Sequence, residues 1–171
     1  MIKLRSPKKF TSKKIKSQEE ISGIIKILKE NGKRIGLCVG AFDFLHAGHM
    51  AHLRSAKELC DFLVVGITDD HFLKRAKGKD RPIYSARIRA YSLSQLECVD
   101  VVFIRAFDSA VEAICSLRPD FYIKGPECRD NDYSPGIIEE RKAIADTGGK
   151  MRYTSDETLS ATEIIKYIKN V

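Results

Sequence analysis

The sequence has no Cys-x-x-Cys pair, no apolar stretch approaching the roughly 18 residues that span a bilayer, and no apolar signal core near its start. Its five cysteines, Cys38, Cys60, Cys98, Cys115 and Cys128, are odd in number and dispersed, which reads as reduced thiols and not as a disulfide frame. A cytoplasmic protein with no membrane partner is the expectation. Acid is missing from residues 1–16, where Lys3, Arg5, Lys8, Lys9, Lys13, Lys14 and Lys16 supply as many positive charges as the whole formal net charge of +7. A basic N-terminal tail of that kind reads as a solvated end ahead of an electrically balanced domain at 17–171, so the net charge predicts no nucleic-acid partner. Internal repeats, low-complexity tracts and interior linkers are also absent, and 171 residues suit one catalytic domain with its own core.

What is present alternates. Ser17-Gln18-Glu19-Glu20 reads as a helix start, with Ile21, Ile24, Ile25 and Leu28 at helical spacing until Asn31-Gly32 stops it. Short apolar runs at 34–39, 62–67, 101–104 and 121–123 read as buried strands, followed by a short strand at 150–153. Helical sequence falls around Met50–Cys60, Ser85–Leu96, Ile137–Asp146 and Ser160–Lys169. Strands alternating with helices predict an α/β fold, a single-domain doubly wound parallel sheet of Rossmann-like type covered on both faces. Ligands in such sheets bind beyond the carboxyl ends of the strands, which directs attention to Gly40–His49, Thr68–Asp70, Lys124–Cys128 and the approach to Ser160.

Neither common nucleotide fingerprint is present, since no Gly-x-Gly-x-x-Gly follows a strand and no Gly-Lys-Ser/Thr occurs. Phosphate binding would have to be built from His46-Ala47-Gly48-His49 at the mouth of a helix. Unpaired backbone N–H groups and the positive helix end favour an anion there, Gly48 allows close approach, and two imidazoles add donors. Metal ligation by the protein is not expected, because His52 and His71 stand singly and the cysteines are scattered. Asp43 reads as a loop anchor or a substrate contact. Asp70 reads as a substrate-hydroxyl contact or a helix cap.

The run Gly40-Ala41-Phe42-Asp43-Phe44-Leu45-His46-Ala47-Gly48-His49 resembles the signature of the cytidylyltransferase-like family of HxGH nucleotidyltransferases. Lys77-Gly78-Lys79-Asp80-Arg81-Pro82, Arg89, Val99-Asp100, Lys124-Gly125 and Ser160-Ala161-Thr162 follow in that family's order. Within it the chain is most similar to the adenylyltransferase domain of heptose 1-phosphate enzymes. The resemblance implies transfer of AMP from ATP to a sugar 1-phosphate with release of pyrophosphate, assisted by Mg²⁺ bridging the phosphates. It implies that His46 and His49 contact the triphosphate and stabilise the transition state, over a loop shaped by Gly40, Ala41 and Phe42. Lys77 and Arg89 are implied to reach a phosphate, Lys124, Gly125 and Glu127 to lie beside base and ribose, and Ser160 and Thr162 to hold the outer phosphates. A homodimer is implied as well.

Pro126-Glu127 stands where the heptose enzymes commonly have Gly-Asp, and Ala161 where they have Thr, which leaves the sugar open. The stretch before Ser160 lacks the Arg-Thr-x-Gly of glycerol 3-phosphate cytidylyltransferases. CTP with a polyol phosphate, a flavin phosphate acceptor and a catalytically idle nucleotide-binding module remain as alternatives. An aminoacyl-tRNA synthetase fragment is disfavoured by the missing Lys-Met-Ser-Lys-Ser segment.

Overall fold

The computed structural model describes residues 10–78, 80–105, 109–130, 133–157 and 159–170. Its first helix, α1 (Gln18–Glu30), begins with a reciprocal cap: the Ser17 hydroxyl accepts from the Glu20 amide while the Glu20 carboxylate accepts from the Ser17 amide at 2.8 Å. Ile21 and Ile25 face inward from it, and the chain leaves through Gly32 in the left-handed region at φ 71°.

Five strands follow, β1 (Ile35–Gly40), β2 (Phe62–Thr68), β3 (Val101–Arg105), β4 (Phe121–Lys124) and β5 (Lys150–Tyr153). They form one sheet in the order β3-β2-β1-β4-β5, and every pairing is parallel. The connections carry α2 (Ala47–Glu58), α3 (Asp70–Lys77), α4 (Ala86–Ser94), α5 (Val111–Leu117), the short α6 (Glu127–Asp130) and α7 (Pro135–Asp146), with α8 (Ala161–Lys169) after β5.

Alternation along the strands divides the core in two. Ile35 and Leu37 of β1, Val64 of β2, Phe103 of β3 and Tyr122 of β4 pack with α1, α5 and α7 on one face. Cys38, Leu63, Val65, Ile67, Val102 and Ile123 pack with α2 and α4 on the other. Burial on both faces is why these strands read as continuous apolar runs. Successive strands move outward from β1 to β3 and then return to β4 beside β1, so the winding reverses between β1 and β4. The carboxyl ends of these two strands, Gly40 and Lys124, flank the crevice where such folds bind ligands.

Three short helices, α3, α5 and α6, were not separately expected. Each is eight residues or fewer, too short for a clear helical period. The basic end also differs from expectation. From Phe10 onward it is docked: the Val102 amide donates to the Lys14 carbonyl and the Lys16 amide to the Val102 carbonyl, adding a parallel bridge outside β3. The Lys14 ammonium donates to the carbonyls of Leu96 and Val99 at 3.0 and 2.6 Å, so this lysine fastens the segment to the sheet edge. Residues 1–9 of the tail lie outside the described residues.

Candidate active site

Between β1 and α2 the chain turns sharply. Phe42 takes a left-handed backbone (φ 44°), which costs a side-chain-bearing residue about 1–2 kcal/mol and is retained because the ring is buried. The ring lies below His49, with centroids 5.1 Å apart. His46 is the residue before the first turn of α2, in extended conformation, and its side chain makes no capping bond. It stacks on His49 with centroids 3.8 Å apart and an interplanar angle of 23°. Both ring nitrogens of His46, and Nδ1 of His49, are buried without a hydrogen-bond partner among the described residues. No acid occupies the first turn of α2 to neutralise the helix end.

Electrostatics keep this pair neutral. Burial lowers the pKa of His49 to about 4, aided by the nearby His46, His52 and Lys77 and opposed by the Phe44 carbonyl. Burial also lowers His46, and it lowers His52 against the opposing pull of Glu127 and Asp156. Two stacked imidazoles with unpaired polar nitrogens form a costly arrangement in a protein interior unless something supplies partners. An anion accepting N–H bonds would supply them.

The rings open into a cleft of about 540 Å³ that also brings together Gly48, Lys77, Gly125, Glu127 and Ser160. A smaller cavity of about 220 Å³ continues along the strand ends, where Gly40, Ala41, Phe42 and Lys124 lie, and Lys77 and His49 border both. A Cβ on Gly125 would collide with the Glu127 carboxylate folded back over it. A Cβ on Gly48 would stand 3.1 Å from the Leu159 amide nitrogen, so the glycine admits the backbone that precedes α8 as well as leaving the helix mouth open. Lys124 Nζ is 2.6 Å from the Glu140 carboxylate, and Ser160 caps α8 by accepting from the Glu163 amide at 3.4 Å.

Arg89, Asp70 and Thr162 stand in a different relation to the site from the one expected, while Asp43 takes the loop-anchor role of its two readings. Arg89 does not enter either cavity. Its guanidinium is 2% exposed and donates to the carbonyls of Ala41 (2.5 Å), Thr68 (2.7 Å) and Tyr84 (3.0 Å) and to the Asp70 carboxylate (2.8 Å). A rigid fork of donors at the ends of β1 and β2 holds those ends in place instead of meeting a phosphate. Asp70 accepts from the Ala86 amide at 2.7 Å as well as from Arg89, so it ties down the start of α4 and does not face the cavities. Asp43 borders the smaller cavity, but its carboxylate, 2% exposed, accepts from Arg81 Nη1 at 2.5 Å and from the Ile83 amide at 2.6 Å. Thr162 lies outside both cavities, with its hydroxyl 3.4 Å from Arg81 Nη2.

Sequence reasoning left Arg81, His52 and Asp156 without roles. Arg81 ties Asp43 to Thr162 across the site. His52 and Asp156 line the cleft, with His52 Nδ1 2.9 Å from Thr154 Oγ1 and Asp156 accepting from the Ser55 hydroxyl at 2.8 Å. The spacing of three through 46, 49, 52 and 55 marks one ridge of α2 and was a signal available in the sequence. Arg81 and Asp156 gave no such signal, because their partners are distant in the chain.

The model of the cytidylyltransferase-like family matches residues 37–167, a span that contains both histidines, both cavities and all of the sheet except the first two residues of β1. The chain belongs to the cytidylyltransferase-like family. It is therefore a nucleotidyltransferase-type domain, and the stacked histidines sit at the junction of the β1–α2 loop and the first turn of α2. Among relatives, the Bifunctional protein HldE of Pelobacter propionicus is 36% identical over 91% of this chain. That of Nitratiruptor sp. is 45% identical over 80% of it. The chain spans 31% and 29% of the lengths of these two proteins. A solved lipopolysaccharide core biosynthesis protein from Thermoplasma volcanium superposes with a TM-score of 0.60 at 25% identity, covering 74% of this chain and 100% of that one. A pantoate-beta-alanine ligase from Francisella tularensis shares the fold with a TM-score of 0.60 at 16% identity, over 94% of this chain and 79% of that one. Among the described residues no helix is long and apolar enough to cross a membrane.

Proposed function

We propose that this domain transfers AMP from ATP to a sugar 1-phosphate and releases pyrophosphate. The observation that carries the reading is the stacked pair His46 and His49, which lines a cleft at the mouth of α2, at the point where the sheet reverses its winding, and whose buried ring nitrogens lack partners among the described residues. Nucleotidyl transfer needs little covalent help from a protein. It needs in-line positioning and donors aimed at charge that develops on the phosphate oxygens.

In the proposed step an oxygen of the acceptor phosphate forms a bond to the α-phosphorus of ATP while the bond to the pyrophosphate oxygen breaks. A phosphate monoester is largely ionised near neutral pH, so no strong general base is required. Neutral His46 and His49 donate N–H bonds to the phosphate oxygens, and the amides of the first turn of α2 add to them. Lys77, bordering both cavities, compensates charge on the phosphates. Phe42 fixes the height of the His49 ring, and Arg89 holds the Ala41 carbonyl that shapes the loop.

The cleft fits a divalent cation carried on the triphosphate. Glu127, Asp156, Glu157 and Glu163 line it beside Lys77, a balance that a bare polyanion would meet unfavourably. Among the described residues no cluster of three or more metal-ligating side chains is assembled. When bound, Mg²⁺ neutralises phosphate charge and the departing pyrophosphate.

Similarity to the HldE proteins and to a lipopolysaccharide core biosynthesis protein supports a sugar phosphate acceptor, and use of ATP is in keeping with a cytoplasmic setting. A pyrophosphate-release screen of four nucleoside triphosphates against sugar 1-phosphates, glycerol 3-phosphate and flavin mononucleotide tests the reading. Release with ATP and a sugar 1-phosphate is expected. Release confined to CTP with glycerol 3-phosphate, or to flavin mononucleotide, replaces the acceptor, and binding of nucleotide without any release marks an idle module.

A further inference from the structure

The segment that leaves α3 meets both walls of the cleft. Lys77, the last residue of α3, borders both cavities. Gly78 follows at φ 95°, a backbone that residues with side chains rarely adopt, and its carbonyl accepts from the Arg81 amide at 3.1 Å to close a turn. The Arg81 side chain lines neither cavity, and it is largely buried. Its Nη1 donates to one oxygen of Asp43 at 2.5 Å, and the Ile83 amide donates to the other at 2.6 Å, so one short segment engages both oxygens of this buried carboxylate. Its Nη2 donates to the Thr162 hydroxyl at 3.4 Å.

The two acceptors belong to different walls. Asp43 borders the smaller cavity and stands three residues before His46. Thr162 lies in the first turn of α8, where Ser160 at the cap and Glu163 line the cleft and Ala161 borders the smaller cavity. Among the described residues, no other hydrogen bond or ion pair joins Ala161–Lys169 to the rest of the fold. The two bonds also differ in kind: the one to Asp43 is short, shielded and between opposite charges, and the one to Thr162 is long and exposed. A guanidinium is a rigid plane, so fixing Nη1 on Asp43 fixes the direction in which Nη2 is offered.

We infer that Arg81 is a positioning residue for the transfer step: anchored on Asp43, it sets where the first turn of α8 stands relative to His46 and His49. The inference rests on the reading of the cleft as a nucleotidyl-transfer site and deepens it. Arg81 touches no substrate. It acts through α8, whose first-turn amides lack partners within the helix and whose Ser160 lies in the cleft wall. In-line attack depends on the spacing of the groups that hold the reacting phosphates, and a misplacement of about 1 Å costs on the order of 10²-fold in rate. A contact that fixes this spacing contributes to turnover more than to affinity.

The experiment is steady-state pyrophosphate release by the protein and its Arg81→Lys, Thr162→Val and doubly substituted variants, with thermal unfolding of each. Mg-ATP and the sugar 1-phosphate selected by the screen are varied separately. Arg81→Lys keeps a positive charge beside Asp43 but has no planar fork to span both acceptors. It is expected to keep its thermal midpoint and to lower kcat about 10- to 100-fold, with the KM for ATP within about threefold of the unaltered protein. Thr162→Val should lower kcat by a smaller factor. The double variant should match the larger single loss within a factor of about two, because both changes break the same contact. Unchanged kcat in Arg81→Lys or in Thr162→Val, losses that multiply in the double variant, or a raised KM for ATP with kcat unaffected each overturns the inference and leaves nucleotidyl transfer standing. A loss of kcat that follows a fall in the thermal midpoint of Arg81→Lys assigns the residue to stability alone and overturns it as well. Absence of pyrophosphate release by the unaltered protein with every acceptor overturns the reaction itself, and the inference with it.

Discussion

On one side of the cleft the loop from Gly40 to His49 is tied into the interior. Arg89 holds the Ala41 carbonyl, Arg81 and the Ile83 amide hold Asp43, and the Phe42 ring is buried beneath the histidines. On the other side, the chain from Thr154 to α8 is anchored by Thr154, and its described residues otherwise reach the rest of the fold through side-chain bonds to Ser55 and Arg81 and through Leu159 beside Gly48. None of the described side chains of α8 is fully buried, and Tyr167 and Ile168 are 73% and 62% exposed. The first wall is a fixed template and the second an attached strap. Chemistry that must meet a transition state benefits from the rigid wall.

The largest expected effect tests whether the fixed wall carries the chemistry. His49→Ala should lower turnover on the order of 10²-fold or more, as loss of a preorganised donor does, with the thermal midpoint nearly unchanged. Near-normal turnover would remove His49 from the reaction. Next comes the clamp beneath it. Arg89→Ala should reduce unfolding free energy by about 2–4 kcal/mol in urea titrations, because it leaves three carbonyls and Asp70 without their donor. If the midpoint holds and only the KM for a substrate rises, Arg89 meets a ligand and the wall is less fixed than described.

Asp43→Asn should cost about 1–2 kcal/mol by weakening the bonds to Arg81 and Ile83, with a parallel fall in turnover. Equal turnover would show that the loop holds its shape without that anchor. The pH dependence should be gentler still. The folded His49 pKa of about 4 lies below that of an unfolded histidine, so the unfolded chain binds the proton more readily. Stability contributed by the neutral ring is therefore fully present above about pH 6.5 and is lost as pH falls toward 4, with His46 and His52 adding in the same direction. Urea midpoints measured from pH 7 to pH 5 should decline less steeply in His49→Gln, and an identical slope would contradict burial of this ring. Ile168→Ser on the strap should change stability by less than about 0.5 kcal/mol. A large loss there would show that α8 is buried against something in solution and would erase the contrast between the walls.

Much of the fold was legible because its signals are local. The strand expected at 150–153 is β5 to the residue, and the runs near 35, 62, 101 and 121 differ from β1 to β4 by only a residue or so at their ends. Apolar runs of this kind announce themselves when both faces of a sheet are covered. Short helices such as α3 lack a full period, and the lysines at 14 and 16 read as solvated because a side chain's distant acceptors leave no mark in its neighbourhood. Lys14 donates to carbonyls more than eighty residues away.

The sequence by itself determined the alternating architecture, the family, and the place of His46 and His49 at the mouth of a helix, since these follow from periodicity and from one contiguous motif. Only the tertiary structure decided that Arg89 and Asp43 hold the loop from behind, and that His52 and Ser55 of α2 bond to Thr154 and Asp156 of the segment before α8. Those roles depend on partners as far as 102 residues apart. Residue type alone marks an arginine or an aspartate as charged; whether that charge is spent on the protein's own backbone or left for a ligand is settled by what folding brings beside it.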